Sequence, residues 1–147
     1  MTSSKVESEG PEVWEILAHL WALLQVILDD SSLSLEELGL TTKGLILLSA
    51  LDVHPFPGEL AKSMHLPPPT VSYLVKQLEA GGFLERRSEP GDLRKFRLVA
   101  TEAGREAITR GRAAMAAVLQ GRLSRLAARE VASFDQALER LTRPGGG

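Results

Sequence analysis

The chain has 147 residues, of which 44% are hydrophobic and 24% charged, proportions typical of one globular domain with its own apolar core. It contains no cysteine, which excludes disulfides, thiolate nucleophiles and cysteine-based zinc sites. Its formal net charge of −2 argues mildly against nucleic-acid binding, so a case for DNA depends on where the charges lie.

A strongly apolar helix is predicted first, over residues 12–30. Leucine, isoleucine, valine and tryptophan cover most of its circumference, so it must be buried on most sides. Because one small domain covers only one face, we expect a second chain to cover the rest. The apolar run is slightly short for a membrane span and contains Glu15, His19 and Gln25. Residues 31–39 predict a polar turn that ends in a short helix.

Trp14 and Trp21 share one face of this first helix, and His19 lies between them in the sequence. Two interpretations stay open. These side chains pack in the core or in a dimer interface, or they form an effector-binding site in which a ring stacks and His19 meets an anion. The histidines do not have metal-ligand spacing, so we expect neither a metal nor a cofactor.

Three further helices are predicted before the first glycine pair. Thr41 is placed to cap a helix over residues 42–51. Pro57 suits the first position of a short helix that ends near Met64. The triple proline that follows stops this helix and opens the next, over Pro68–Ala80. Gly81 and Gly82 end it.

A basic hairpin is predicted next, with strands at residues 83–87 and 95–99 and a longer loop at 88–94. Between Arg86 and Arg97 the chain has five basic residues against two acidic ones. Such a cluster can contact phosphates despite the overall negative charge. Thr101 can cap a helix over residues 102–124 that is rich in small residues, and an amphipathic helix follows at 128–141. The first ten and the last four residues are predicted to be frayed tails.

Two short helices followed by a hairpin form the order of a winged helix-turn-helix, in which the second helix enters the major groove of DNA. Residues 58–87 (GELAKSMHLPPPTVSYLVKQLEAGGFLERR) resemble the DNA-reading unit of the MarR family. Residues 90–104 (PGDLRKFRLVATEAG) resemble that family's wing and the exit from it, including Asp92-x-Arg94 and Thr101-x-x-Gly104. The resemblance extends over residues 12–141.

The resemblance implies a mainly α fold with a small β-hairpin wing, in one domain over residues 1–147. A winged helix-turn-helix lobe at 42–100 would lie between dimerisation helices at 12–30 and 102–143. Asp92 would hold Arg94 for a contact in the minor groove. The implied DNA-binding residues are Pro68, Pro69, Thr70, Ser72, Tyr73, Lys76, Arg86, Arg87, Asp92, Arg94 and Lys95.

In function, the resemblance implies a transcriptional repressor that binds a pseudo-palindromic operator as a homodimer and responds to a small aromatic or phenolic effector. The start of the chain does not have the pattern of a signal peptide, and we expect a cytoplasmic location. Enzyme motifs are absent from the sequence, and we expect no catalytic activity.

Two departures from the family pattern lie in the recognition helix. Tyr73 stands where the family often has arginine, and Pro67 stands where it usually has a Ser/Thr cap. The prolines do not have the backbone N–H groups with which a helix start holds a phosphate. We therefore expect weaker or differently specific DNA binding. The alternative is a winged-helix protein-interaction module that has lost specific DNA reading. For Arg86 and Arg87, pairing with nearby acids is as plausible as phosphate contact.

Overall fold

A computed structural model describes residues 10–145, and the predicted frayed tails fall mostly outside this range. The fold class is confirmed: the described residues are mainly helical and carry one antiparallel hairpin. In chain order the elements are α1 (Val13–Glu37), α2 (Thr42–Ala50), α3 (Pro57–Met64), α4 (Pro68–Ala80), β1 (Leu84–Glu89), β2 (Asp92–Ala100), α5 (Glu102–Leu123) and α6 (Ala128–Thr142).

The first helix is longer than predicted. Its predicted end at residue 30, and the turn after it, are wrong, because α1 continues without a break to Glu37. The hydroxyl of Ser31 donates to the Ile27 carbonyl at 2.6 Å. The Ser31 hydroxyl therefore finds its partner inside the helix and does not compete with it. Ser31 and Leu35 are also buried in the core, so tertiary packing favours continuing the helix through this polar segment.

The hydrophobic core lies where α2, α3, α4 and the hairpin meet the C-terminal end of α1 and the first half of α5. The caps of α2 and α5 form as predicted. The Gly44 N–H donates to the Thr41 hydroxyl, and the Gly104 N–H donates to the Thr101 hydroxyl, each at 3.0 Å. The largest fully buried side chains are Leu35, Leu47, Leu48, Leu60, Leu98, Val71 and Ser31.

The N-terminal half of α1 lies outside this core. By length and hydropathy alone α1 could cross a membrane, yet only 6% of its apolar window is buried within the chain. The burial expected for this helix is therefore not reached inside one protomer. Its exposed apolar residues are Val13, Trp14, Ile16, Leu17, Leu20, Trp21 and Leu24.

The hairpin is tighter than predicted. The strands extend to Glu89 and from Asp92, so the predicted loop over residues 88–94 is wrong and only Pro90 and Gly91 form the turn. Gly91 adopts a φ of 87°, in the left-handed region that glycine enters without steric cost. A proline followed by such a glycine closes a two-residue turn. The strand pairing is irregular between Ser88 and Glu89.

Candidate nucleic-acid interface

The recognition helix α4 has one buried and one exposed side. Its apolar side packs on α3 and β1 through buried Val71, Leu74, Val75 and Leu78. The turn that joins α3 to α4 depends on His65, which ends α3 in the left-handed region with φ 53°. The side opposite the core is open to solvent and carries Pro69, Ser72, Tyr73, Lys76 and Gln77.

The start of α4 offers no free backbone donor. Pro68 and Pro69 have no N–H, and the Thr70 N–H donates to the Pro67 carbonyl at 3.0 Å. The Val71 N–H donates to the same oxygen at 3.2 Å. The usual anion-binding property of a helix start depends on unpaired N–H groups. This helix start therefore cannot hold a phosphate through its backbone. The sequence predicted only a weakened hold, and the structure goes further because the Thr70 and Val71 N–H groups are also paired.

Tyr73 lies in the middle of the exposed side, with 61% of its surface open to solvent. The Gln77 side-chain amide donates to the Tyr73 hydroxyl at 2.9 Å, one helical turn further on. This bond links two side chains that face away from the core. Lys76, between them in sequence, is exposed and is the one basic residue of α4.

Two arginines of β1 pair with acids. Arg86 donates to the Glu79 carboxylate at 2.9 Å, and its guanidinium lies 4.8 Å from the centre of the Phe96 ring. Arg87 donates to the Glu85 carboxylate at 2.7 Å. The sequence left phosphate contact and acid pairing open for both arginines, and the structure shows acid pairing. Exposed ion pairs of this kind contribute about 0–1 kcal/mol, so they yield readily to a stronger anion.

The cations of β2 are less constrained. Arg97 lies 3.7 Å from the Glu89 carboxylate. Among the residues that the structure describes, neither Arg94 nor Lys95 forms an ion pair, and both are exposed. They are therefore the wing cations most available to an external anion.

Asp92 does not hold the Arg94 side chain. Its carboxylate instead accepts from the Arg94 backbone N–H at 3.0 Å. This corrects the expected pairing of carboxylate and guanidinium. The reason is local: two residues of separation place an aspartate oxygen beside the backbone N–H at the start of β2, as in an Asx-turn. Asp92 thus shapes the turn and leaves the Arg94 guanidinium unpaired.

A groove between α3 and the wing was missed by sequence reasoning. It has a volume of about 660 Å³ and combines aromatic rings with three basic side chains. Residues from α3 and β2 meet here although they are far apart in sequence, and no sequence spacing signals that meeting. The lining residues are Phe56, Pro57, Gly58, Glu59, Lys62, Arg94, Lys95 and Phe96.

The three candidate effector residues are not brought together in one cavity. His19 lines a small cavity of about 210 Å³ between α1 and Phe134 of α6. Trp14 and Trp21 lie outside that cavity, with 74% and 63% of their surfaces exposed. Within one protomer the tryptophans are unpacked, which leaves the dimer-interface interpretation and the effector interpretation both open.

Comparison with known sequences places the helix-turn-helix in one family. Residues 38–95 match the sequence model of the MarR family. The matched range begins just before α2 and ends in β2 at Lys95, so it contains the recognition helix and both unpaired wing cations. Comparison with curated proteins found no match.

Solved structures share the fold over most of the chain. The YusO protein of Bacillus subtilis is 25% identical, with a TM-score of 0.70 over 90% of this chain and 95% of that one. A MarR family protein of Mycobacterium tuberculosis, solved with salicylic acid, is 25% identical, with a TM-score of 0.72 over 90% and 98%. Wild-type apo MarR of Escherichia coli is 19% identical, with a TM-score of 0.75 over 91% and 99%. The Mycobacterium tuberculosis protein has also been solved with DNA, and that structure aligns with a TM-score of 0.73 at 24% identity.

Proposed function

We propose that the chain is a DNA-binding transcriptional regulator of the MarR family that represses its target genes as a homodimer. The observation that carries the proposal is that two exposed wing cations, Arg94 and Lys95, form no ion pair within the described residues. They lie on a hairpin whose first strand packs against α4. A winged helix that binds DNA needs a recognition helix for the major groove and a basic hairpin beside it.

The homodimer is supported by the exposed apolar half of α1. An apolar patch of this extent is uncommon on a monomer and marks an interaction surface. A two-fold symmetric dimer covers the same patch on both copies at once. It would also present two copies of α4 to one face of a duplex, about 34 Å apart for half-sites separated by one turn.

Removing the Arg94 guanidinium tests the DNA-binding role. We expect R94A to weaken binding to a duplex from the region upstream of the gene by about 1–3 kcal/mol per protomer. Fluorescence anisotropy at fixed salt measures this loss. The matched control is R110A, on the exposed surface of α5, which removes the same charge away from the wing and should bind as the wild type does. Equal affinities for a folded R94A and the wild type would exclude the wing contact.

We propose that binding of a small aromatic acid lowers the affinity of the protein for DNA. Support comes from the Mycobacterium tuberculosis relatives solved with salicylic acid and with p-aminosalicylic acid. In this chain the groove between α3 and the wing places Lys62, Arg94 and Lys95 beside the ring of Phe56, which suits an aromatic carboxylate. Repeating the anisotropy titration with salicylic acid tests this response, since a ligand that competes for wing cations must lower the apparent affinity for DNA.

The interaction-module alternative is favoured by one observation, the donor-free start of α4. It predicts that no duplex is bound specifically at low salt.

For a regulator that acts on DNA inside the cell, we propose a cytoplasmic location and no catalytic activity.

A further inference from the structure

The leading turn of α4 has a surface that DNA binding by charge does not explain. Pro68 and Pro69 are exposed on it. The N–H groups of Thr70 and Val71, the next in the chain, both donate to the Pro67 carbonyl. The outer surface of this turn is therefore made of pyrrolidine rings and offers no backbone donor to a partner.

Base edges in the major groove differ in how they meet such a surface. Guanine, adenine and cytosine present polar groups and no methyl group there, whereas thymine adds an apolar C5-methyl group. A proline ring over a polar edge removes water without replacing its hydrogen bonds, which costs free energy. Over a thymine methyl, the same ring buries two apolar groups, which is favourable.

The rest of the α4 face is also low in charge. Tyr73, one turn after Pro69, exposes its ring, and its hydroxyl accepts from the Gln77 amide. Lys76 is the one cation of the helix, while Arg94 and Lys95 stand on the wing. Phosphate attraction thus comes mainly from the hairpin. The occupant that complements a cationic wing beside an apolar helix start is a DNA duplex that presents a methyl group in its major groove.

We propose that Pro68 and Pro69 select thymine, through its C5-methyl group, at the base step that faces the start of α4. This inference rests on the proposed DNA-binding function and adds base specificity to it. The two prolines act as specificity-determining residues, and the loss of backbone donors is offset by contact between apolar surfaces.

The test uses a duplex that the full-length protein selects from a random pool of DNA. Each thymine of this duplex is replaced in turn by deoxyuridine, which keeps the hydrogen-bonding groups of the base and removes only the methyl group. We expect one or two positions in each half-site at which replacement weakens binding about fourfold, the effect of losing one buried methyl group. Anisotropy titrations measure the affinity at every position.

A double variant connects the effect to the prolines. P68S/P69S removes both rings and keeps residues that suit a helix start, so the deoxyuridine penalty should disappear. The matched control is P90A in the wing turn, which should retain the full penalty. If no replacement changes the wild-type affinity, or if the penalty survives in P68S/P69S, the thymine inference is wrong while DNA binding stands. If the protein selects no duplex from the pool, the proposed function and this inference both fail.

Discussion

Gly104 lies in close contact with the backbone of Phe83. A Cβ atom at this position would lie 2.0 Å from the Phe83 carbonyl oxygen. That oxygen also accepts from the Thr101 N–H at 3.0 Å, and the Thr101 hydroxyl donates to the Gly82 carbonyl at 2.6 Å. The Thr101-x-x-Gly104 motif therefore joins the end of α4 and the start of β1 to the first turn of α5. These contacts attach the winged lobe to the start of α5.

We expect G104A to destabilise the fold by about 1–3 kcal/mol, because the added methyl group must push α5 away from Phe83. Urea denaturation at one fixed protein concentration measures the free energy of unfolding. The control is G121A in the same helix, where nothing lies within 4 Å of the added Cβ. It should stabilise the protein by about 0.5–1 kcal/mol, since alanine favours a helix more than glycine does. Equal free energies of unfolding for G104A and the wild type would contradict this prediction, because they would show that α5 moves away from Phe83 without loss of stability.

At the scale of elements, the proposed DNA contacts are divided between the wing and α4. The start of α4 cannot hold a phosphate through its backbone, and three of the wing arginines are paired with acids. Within the described part of the interface, the cations without an ion pair are Lys62 on α3, Lys76 on α4 and Arg94 and Lys95 on β2. The electrostatic part of DNA binding should therefore start from these cations, and the paired arginines add to it where a phosphate displaces the carboxylate.

Lys76 provides the element-scale prediction. If its ammonium group contacts a phosphate, K76A releases one counterion fewer per protomer, and the slope of log K against log salt for the dimer should become shallower by about two units. Anisotropy titrations at a series of salt concentrations give the slope. The control R129A removes an exposed cation from the first turn of α6 and should leave the slope unchanged. A K76A slope identical to that of the wild type would remove Lys76 from the contacts.

At the scale of the whole molecule, the burial of α1 changes along its length. Its C-terminal part packs on α5 and enters the core, whereas residues 11–20 are exposed throughout. The same helix has the length and hydropathy of a membrane span. A second copy and a bilayer are the two environments that would cover this surface, and they predict different behaviour in detergent-free buffer.

We expect L17D to convert the proposed dimer to a monomer, because a charge in a buried apolar interface loses its hydration without gaining a partner. Light scattering coupled to size-exclusion chromatography measures the mass of each species. The control V53D places the same charge on an apolar residue of the winged lobe that is 72% exposed to solvent, and it should remain dimeric. A monomeric wild-type protein, or one that requires detergent to stay in solution, would contradict the dimer.

Much of the fold was predictable because its signals act over a few residues. The bounds of α3 and α4 follow from Pro57, the triple proline and the glycine pair, each of which restricts its own backbone or that of its neighbour. The caps at Thr41 and Thr101 were predictable for the same reason. The list of DNA-binding residues came from the resemblance to a family, and their contacts with DNA stay predictions.

The sequence by itself determined the order of the elements, the absence of N–H groups at Pro68 and Pro69 and the excess of basic residues in the hairpin, since these depend on local covalent structure and composition. Only the tertiary structure decided that α1 continues to Glu37, that Glu79 engages Arg86, and that α3 and β2 share a groove. These features depend on residues that are distant in sequence. Whether a serine ends a helix or a wing arginine is unpaired is set by the surfaces and charges that folding brings beside it.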